Sequence, residues 1–169
     1  MFNTALDLSL PMILDCDEII PSRLWIGRYV DPSDIKLLGA LGITNLISLQ
    51  SDQDLAYYGI SIARILRACE EARIDFRRIA IPDFDRVALA RHLPSAVAVL
   101  ESALASSQSR VYLHCSAGIN RSPTAAAAYL IRSRGLSARA AHDYLTSRRN
   151  CSPFLTVLES YEMSRNPGA

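Results

Sequence analysis

Cys115 and Arg121 enclose a seven-residue segment, CSAGINR, whose composition suits a loop that binds phosphate. An apolar run, residues 111–114, precedes the segment and an Ala-rich stretch of helical character follows it, so the segment is predicted to be a strand-to-helix turn. A loop curled over the start of a helix directs several backbone N–H groups at one point, where the helix dipole adds positive potential. Gly118, at the centre, permits a positive φ or a close approach of the backbone. The sequence therefore predicts an anion site.

Cys115 lies in this positive field and is predicted to be a nucleophile. The field favours the thiolate, which is the form of cysteine that attacks phosphorus. Arg121 carries a planar fork of donors that fits two oxygens of a phosphate. Ser122 is placed to donate a hydrogen bond to the sulfur, and His114 is placed to order the loop from behind. The other predicted members of the phosphate-binding loop are Ser116, Ala117, Gly118, Ile119 and Asn120.

Strand and helix patterns alternate along the chain and are followed by helices alone. Strands are predicted at 24–26, 43–49, 76–81 and 111–114, and helices near 32–41, 60–72, 89–106, 122–133, 137–147 and 153–163, whereas residues 53–58 are ambiguous. This order predicts a single α/β domain with a central, mostly parallel sheet of about five strands flanked by helices. The cysteine loop would then lie at the C-terminal end of a strand, where such sheets bind ligands.

Composition and the N-terminus narrow the class of protein. The 169 residues carry a formal charge of +1, which gives no reason to expect a nucleic acid or another polyanion as partner. The four cysteines are widely spaced and lack a C-x-x-C pair, so a reduced, cytoplasmic protein is expected rather than a zinc or disulfide scaffold. Residues 1–18 are expected to form an N-terminal arm and residues 19–165 the domain. No apolar run approaches the length of a membrane span.

Asp83 and Asp85 are the candidates for a general acid. Hydrolysis of a phosphate monoester needs a proton for the departing oxygen, and a carboxyl group on a loop outside the phosphate site can supply it. Both residues lie in a turn that follows a predicted strand, roughly thirty residues before Cys115. Both are equally suited to capping the helix that begins near Ala88. The residue pattern alone leaves this alternative open.

The letters HCSAGINRS match the H-C-x-x-G-x-x-R-[S/T] signature of the cysteine-dependent protein tyrosine phosphatase superfamily, and the following SPT resembles its dual-specificity branch. The resemblance implies a dual-specificity phosphatase domain that uses neither a metal nor another cofactor. The stretch RRIAIPDFDRVALARHLPSAV further resembles the glucan phosphatases, the starch-dephosphorylating relatives of laforin. In that group the first aspartate of the turn is the general acid, which implies this role for Asp83.

Other stretches extend the likeness to the glucan phosphatases over residues 19–158. They are NLISLQSDQDLAYYG, at 45–59, and SRRNCSP, at 147–153. Phe84, Tyr57 and Tyr58 are predicted to bind substrate, because flat side chains stack on the apolar faces of sugars. Trp25 is a weaker candidate. The alternative for each of these rings is a place in the core.

Two further features bear on substrate and regulation. Asn120 stands where the glucan group has glycine, and no separate carbohydrate-binding module is expected in these 169 residues. Cys69 resembles in position a cysteine that can pair with the catalytic thiol in one of these relatives, which implies a redox partner for Cys115. The alternative is a buried apolar cysteine on a helix.

These observations predict a phosphomonoester hydrolase with a cysteinyl-phosphate intermediate. The leading substrate is a phosphorylated α-glucan such as starch or glycogen, and the alternative is a protein phosphorylated on Tyr, Ser or Thr. A non-catalytic phosphate-binding scaffold is a third hypothesis, but loss of the cysteine or the arginine would mark such a protein and both are present. An inert buried cysteine beside a capping serine would leave Gly118 and Arg121 unexplained.

Overall fold

The computed structural model describes residues 14–165, which form five strands and seven helices. The strands are β1 Cys16–Ile20, β2 Leu24–Gly27, β3 Asn45–Ser48, β4 Asp75–Arg78 and β5 Val111–His114. The helices are α1 Pro32–Ala40, α2 Asp52–Tyr57, α3 Ile62–Ala72, α4 Arg86–Ala103, α5 Arg121–Arg134, α6 Ala138–Thr146 and α7 Leu155–Arg165. None of these helices has both the length and the hydropathy that crossing a membrane requires.

The five strands form one sheet in the order β1-β2-β5-β3-β4. Strands β2, β5, β3 and β4 run parallel, and only β1 is antiparallel to its neighbour. His114 at the end of β5 is in register with both Gly27 and Ser48, so three central strands end at the same level. The predicted α/β fold with a mostly parallel sheet is confirmed.

Helices cover both faces of the sheet because the side chains of each strand alternate between the faces. Val111 and Leu113 belong to a large core cluster together with residues of α4, α5, α6 and α7. Tyr112 points the other way, into a second cluster that α1 and α3 complete. At the centre of the larger cluster lies α5, whose residues Ala125 to Ala128 have no solvent exposure. Small side chains let neighbouring helices approach α5 closely, and this fixes the helix that follows the cysteine loop.

Strand β1 lies partly inside the segment that the sequence predicts to be an arm. Cys16–Ile20 pairs with β2, so the predicted boundary at residue 19 falls within a strand. The acidic residues Asp17 and Glu18 hide the strand pattern, because an edge strand needs only one buried face. The rest of the predicted arm, residues 1–13, lies outside the described residues.

Capping explains two more differences from the predicted elements. Of the ambiguous residues 53–58, residues 53–57 lie in α2 and Tyr58 caps its C-terminus; the helix begins with a capping box between Ser51 and Asp54. Helix α4 begins at Arg86, earlier than predicted, because the Asp85 carboxylate accepts a hydrogen bond from the Ala88 N–H at 2.8 Å.

Gly27 ends β2 at a point where no side chain fits. A Cβ there would overlap the Tyr112 hydroxyl and lie 2.6 Å from the Asp15 carbonyl oxygen. We therefore expect Gly27→Ala to lower the free energy of unfolding by about 2–3 kcal/mol, as overpacking does, when measured by urea denaturation.

Gly59→Ala is the matched control, because Gly59 has φ +64° and open space around its Cα. Gly59→Ala is expected to lower the free energy of unfolding by about 1 kcal/mol, because alanine disfavours a positive φ, but it introduces no clash. Equal losses in the two variants would contradict the assignment of Gly27 to a close contact.

Candidate active site

The segment from Cys115 to Asn120 connects β5 to α5, as the sequence predicts. Gly118 adopts φ +69°, and a Cβ on it would lie 2.5 Å from the carbonyl oxygen of Gly27. Both the positive φ and the close approach require glycine. The end of β2 therefore supports the middle of the loop from one side.

The carbonyl groups of the loop are all bound from outside. Those of Cys115 and Ser116 accept from His114 Nδ1 and from the Tyr29 N–H, each at 2.9 Å. The Arg149 side chain donates to the carbonyls of Ala117 and Gly118, at 3.2 and 2.8 Å. The Ser152 N–H donates to the Ile119 carbonyl at 2.8 Å.

The amide groups of the loop face the opposite way from its carbonyls. In a trans peptide the N–H points away from the C=O, so carbonyls held outside direct the amides to the inside of the curve. Across residues 14–165, no acceptor binds the N–H groups of residues 116–121. The loop is therefore a cup of free amide donors, which suits a phosphate.

Cys115 lies at the base of this cup with a side chain that is almost fully buried. The hydroxyl of Ser122 donates to Sγ at 3.3 Å, and Ser122 itself has no solvent exposure. A hydroxyl donor stabilises negative charge on the sulfur. The structure thus brings together the predicted nucleophile and the predicted donor.

Arg121 is buried and is held by Asp54, a residue that the sequence analysis did not single out. Nη1 contacts Asp54 Oδ2 at 2.7 Å, and Nη2 contacts Oδ1 at 3.3 Å. The Asp54 carboxylate also accepts from the Ser51 N–H and hydroxyl, both at 2.7 Å, and from the Ser116 hydroxyl at 3.1 Å. Burial alone raises the pKa of Asp54, but the hydrogen bonds from Arg121 and Ser51 outweigh it and lower that pKa from 3.8 to about 2. The carboxylate is therefore charged at neutral pH.

Not all donors of Arg121 are used by Asp54. Nη1 also donates to the Ile81 carbonyl at 2.8 Å, and Nη2 lies 3.0 Å from Asp83 Oδ2. Nε is buried, and none of residues 14–165 accepts from it. A buried N–H without an acceptor is rare in proteins, so Nε is a donor available to a phosphate oxygen.

Asp83 and Asp85 have different surroundings, which separates the two general-acid candidates. Asp85 caps α4, whereas Asp83 turns towards Arg121 and is partly exposed. Its other oxygen, Oδ1, accepts from the Phe84 N–H at 3.0 Å. Asp83 is therefore the aspartate that lies at the cup.

Phe84 has φ +57° and a side chain that is 87% exposed. Positive φ is unfavourable for a bulky residue, and such conformations cluster at functional sites. The turn holds this ring in solvent beside Asp83 instead of packing it in the core.

A second aromatic group lies next to Tyr29, whose N–H binds the Ser116 carbonyl from outside the loop. The ring centroids of Tyr57 and Tyr58 are 4.9 Å apart, and Tyr29, which the sequence analysis missed, lies 4.6 Å from Tyr58. Tyr57 is 82% exposed. Tyr29 and Tyr58 line a hollow of about 370 Å³. By contrast, Trp25 is buried in the smaller core cluster, because its position in β2 points it to that face.

His114 is fully buried, and burial lowers its pKa from 6.5 to about 4. It is therefore neutral at pH 7. Its Nδ1 carries the hydrogen, because the Cys115 carbonyl can only accept. His114 therefore binds the Cys115 carbonyl from outside the cup, and its role in ordering the loop stays a prediction.

The side chains of the remaining loop residues lie around the cup without filling it. The Ser116 hydroxyl turns under the loop to Asp54, while Ala117 and Ile119 are exposed. Asn120, which departs from the glucan pattern, donates through Nδ2 to the Ser152 carbonyl at 2.8 Å. Its side chain thus turns away from the amides.

Cys69 lies on α3 in the smaller core cluster, whereas Cys115 belongs to the larger one. Burial raises the pKa of Cys69 to about 11, which leaves little thiolate at neutral pH. All four cysteines are free thiols in the structure. The pairing of Cys69 with Cys115 under oxidation stays a prediction.

The residues that sequence reasoning missed act through long-range contacts. Asp54 is separated from Arg121 by 67 positions. The S-x-x-D pattern of Ser51 and Asp54 indicates a helix start, but it carries no sign of a distant arginine. Tyr29 follows the predicted strand 24–26. Its position after the C-terminal end of a strand was the signal that could have placed it near the site.

Comparison with known proteins assigns the class. Residues 24–162 match the family described as dual specificity phosphatase, catalytic domain, and the chain belongs to this family. It is 33% identical over 130 residues to the phosphoglucan phosphatase DSP4, amyloplastic, of Castanea sativa, covering 76% of this chain and 35% of that protein. It is 32% identical over 149 residues to the dual specificity protein phosphatase Mpk3 of Drosophila melanogaster, covering 86% and 33%.

The chain therefore spans about a third of the length of these two relatives. A solved structure of a mouse putative dual specificity phosphatase complexed with zinc tungstate has the same fold. Its TM-score is 0.73 at 24% identity, over 96% of each chain.

Replacing Asp54 tests the support of Arg121. In Asp54→Asn the buried guanidinium of Arg121 loses the more buried of its two carboxylate partners, Asp54 and Asp83, so we expect the free energy of unfolding to fall by about 3 kcal/mol. Hydrolysis of an aryl phosphate falls at least about 10-fold, because the guanidinium loses a charge-assisted bond worth about 1.5–3 kcal/mol. Asp52→Asn is the control, since Asp52 lies on the same helix as Asp54 but pairs at the surface with Arg78 of β4. This substitution is expected to lower the free energy of unfolding by less than about 1 kcal/mol. Equal effects of the two variants would contradict this role.

The depressed pKa of His114 makes stability depend on pH. The unfolded chain binds a proton below pH 6.5 and the folded chain only below about 4. The stabilisation is therefore complete above pH 6.5 and is lost as the pH falls towards 4, by roughly 3 kcal/mol in total. Urea unfolding between pH 4 and 7.5 measures this slope. His114→Asn, which does not titrate, flattens it, and His92→Asn on α4 is the control for replacing a histidine elsewhere. An unchanged slope in His114→Asn would contradict the assignment.

Proposed function

We propose that this chain hydrolyses phosphate monoesters through a cysteinyl-phosphate intermediate and that its substrate is a phosphorylated α-glucan. The observation that carries the hydrolytic reaction is the cup of inward-facing amides over Cys115, with Arg121 fixed at its edge. Thiolate, oxyanion donors and a carboxyl group meet there, which are the parts that phosphoryl transfer to cysteine requires.

In the first step Cys115 Sγ attacks phosphorus and the bond from phosphorus to the ester oxygen breaks. The amides of residues 116–121 and Arg121 hold the equatorial oxygens, whose negative charge they match. Asp83 gives its proton to the departing alkoxide. The products of this step are the free alcohol and the thiophosphate ester of Cys115.

In the second step water attacks the phosphorus of the thiophosphate, and Asp83, now a carboxylate, accepts its proton. The bond from phosphorus to sulfur breaks and returns the thiolate. The Ser122 hydroxyl, 3.3 Å from Sγ, stabilises the departing thiolate. Inorganic phosphate then leaves the cup.

The exposed aromatic side chains near the cup support a glucan as the substrate. Phe84 stands beside Asp83 on one side, and Tyr29, Tyr57 and Tyr58 form a cluster that begins where Tyr29 binds the loop. Exposed rings of this kind stack on the apolar faces of sugars. The relative from Castanea sativa is named as a phosphoglucan phosphatase, which agrees with this substrate.

A phosphorylated protein is the second candidate substrate. It is favoured by the similarity to the Drosophila protein, which is named as a protein phosphatase and is about as close in identity as the plant relative. Exposed aromatic residues also contact peptides, so these side chains are compatible with either substrate.

Phosphate release from three substrates separates the candidates: phosphorylated amylopectin, p-nitrophenyl phosphate and a phosphotyrosine peptide. We expect Cys115→Ser to abolish all activity. Phe84→Ala lowers kcat/KM for amylopectin roughly 10-fold, because a stacked ring contributes on the order of 1 kcal/mol beyond its buried area. It leaves the small aryl phosphate within about twofold, since this ester does not extend to the Phe84 ring.

Val87→Ala is the matched control, because Val87 is an exposed apolar side chain just after the same turn. It is expected to leave glucan hydrolysis unchanged. Hydrolysis of the peptide but not of amylopectin, with Phe84→Ala silent, would contradict the glucan proposal and leave a protein phosphatase. Hydrolysis of the aryl ester alone would contradict both substrates. A wild-type protein inactive on all three esters would contradict both.

A further inference from the structure

We infer that Arg149 is a positioning residue of the phosphate-binding loop and that Asp15 and Asp17, at the start of β1, hold Arg149 in place. This inference rests on the proposed phosphatase reaction, for which the loop must present its amides. Arg149 lies after α6, is 6% exposed and does not reach the reacting atoms.

The guanidinium of Arg149 binds two consecutive carbonyls of the loop. Nε donates to the Gly118 carbonyl at 2.8 Å, and Nη2 donates to the Ala117 carbonyl at 3.2 Å. A planar fork with fixed directions can hold two acceptors in one orientation, which a single ammonium group cannot. Gly118 also makes room for this contact, because a Cβ there would lie 3.0 Å from Nη2.

The two hydrogen bonds from Arg149 fix the directions of two backbone N–H groups of the loop. The Ala117 carbonyl shares its peptide plane with the Gly118 N–H, and the Gly118 carbonyl shares its plane with the Ile119 N–H. With both carbonyls bound outside, both N–H groups point into the cup. Rotation of either plane would turn a carbonyl oxygen towards the thiolate and the phosphate, which both repel it.

The opposite side of Arg149 is bound by two carboxylates from the start of the described chain. Nη1 contacts Asp17 Oδ2 at 2.7 Å, and Nη2 contacts Asp15 Oδ1 at 3.2 Å. These bonds orient the guanidinium and compensate its buried charge. Asp15 is itself tied to the end of β2, because its carbonyl accepts from the Arg28 N–H at 3.0 Å. The edge of the sheet thus sets the direction of amides more than a hundred positions away.

Tungstate binding and thiol alkylation measure the loop without requiring turnover. Tungstate affinity is measured by calorimetry in a Cys115→Ser background. Alkylation of Cys115 by iodoacetamide is measured from pH 5 to 8 in the protein that keeps Cys115. Four changes are compared, namely Arg149→Met, Arg149→Lys, Asp17→Asn and Arg148→Met. Arg148→Met is the matched control, because this neighbouring guanidinium lies over the Tyr144 ring instead of on the loop.

We expect Arg149→Met to weaken tungstate binding about 10- to 100-fold, since two charge-assisted hydrogen bonds to the loop are lost. Alkylation at pH 6 slows as well, because fewer amides stabilise the thiolate. Arg149→Lys and Asp17→Asn give intermediate losses, and Arg148→Met stays within about twofold of wild type. A purely structural arginine would lower the urea midpoint without moving either readout.

Unchanged tungstate affinity and alkylation in Arg149→Met overturn the inference, even if that variant is less stable. If Arg149→Met does not fold, Arg149→Lys and Asp17→Asn decide, and wild-type values in both overturn it. A wild-type protein that binds tungstate but releases no phosphate from any ester contradicts the proposed function alone. Full hydrolysis in the Arg149 variants contradicts the positioning role alone.

Discussion

The charge of Arg121 is almost completely removed from water, and the rest of the site depends on how that charge is matched. An unpaired guanidinium in this position would be costly, so a carboxylate has to come from inside the protein. Asp54 supplies it, and Asp54 is in turn fixed by the cap of its own short helix and by the hydroxyl of Ser116 in the loop. Loop, helix cap and arginine therefore stabilise one another.

The parallel sheet explains why these parts meet. Segments that follow four of the strands converge at one edge: Tyr29 after β2, Asp54 after β3, Asp83 after β4 and the cysteine loop after β5. At the carboxyl edge of such a sheet the connections leave in the same direction, and ligands bind between them. The antiparallel strand β1 adds Asp15 and Asp17 at this same edge, because its direction brings its beginning beside the end of β2.

The sequence predicts the parts of the site that are encoded locally. Cys115, Arg121 and Ser122 are recognisable because their spacing spans a single turn between a strand and a helix, and the alternation of patterns indicates the sheet. The separation of Asp83 from Asp85 was not predictable from spacing, since it depends on which carboxylate reaches Arg121. Arg149 and Asp54 were missed because their partners are distant in the chain. Strand β1 was missed because Asp17, which binds Arg149, and Glu18 interrupt the apolar alternation.

The conformation of Phe84 has a consequence for how the site moves. The cup is attached to buried elements on every side, and α5 beneath it is enclosed by other helices, so it has little freedom to rearrange. The turn at 82–85, in contrast, exposes a large ring, contains a backbone conformation of high energy and touches the cup through one carboxylate. Proteins open first in regions of low local stability, and this turn has the features of such a region. For the proposed reaction we therefore expect entry of substrate and exit of phosphate to involve movement of this turn over a rigid base, with the strain at Phe84 making the turn easier to displace.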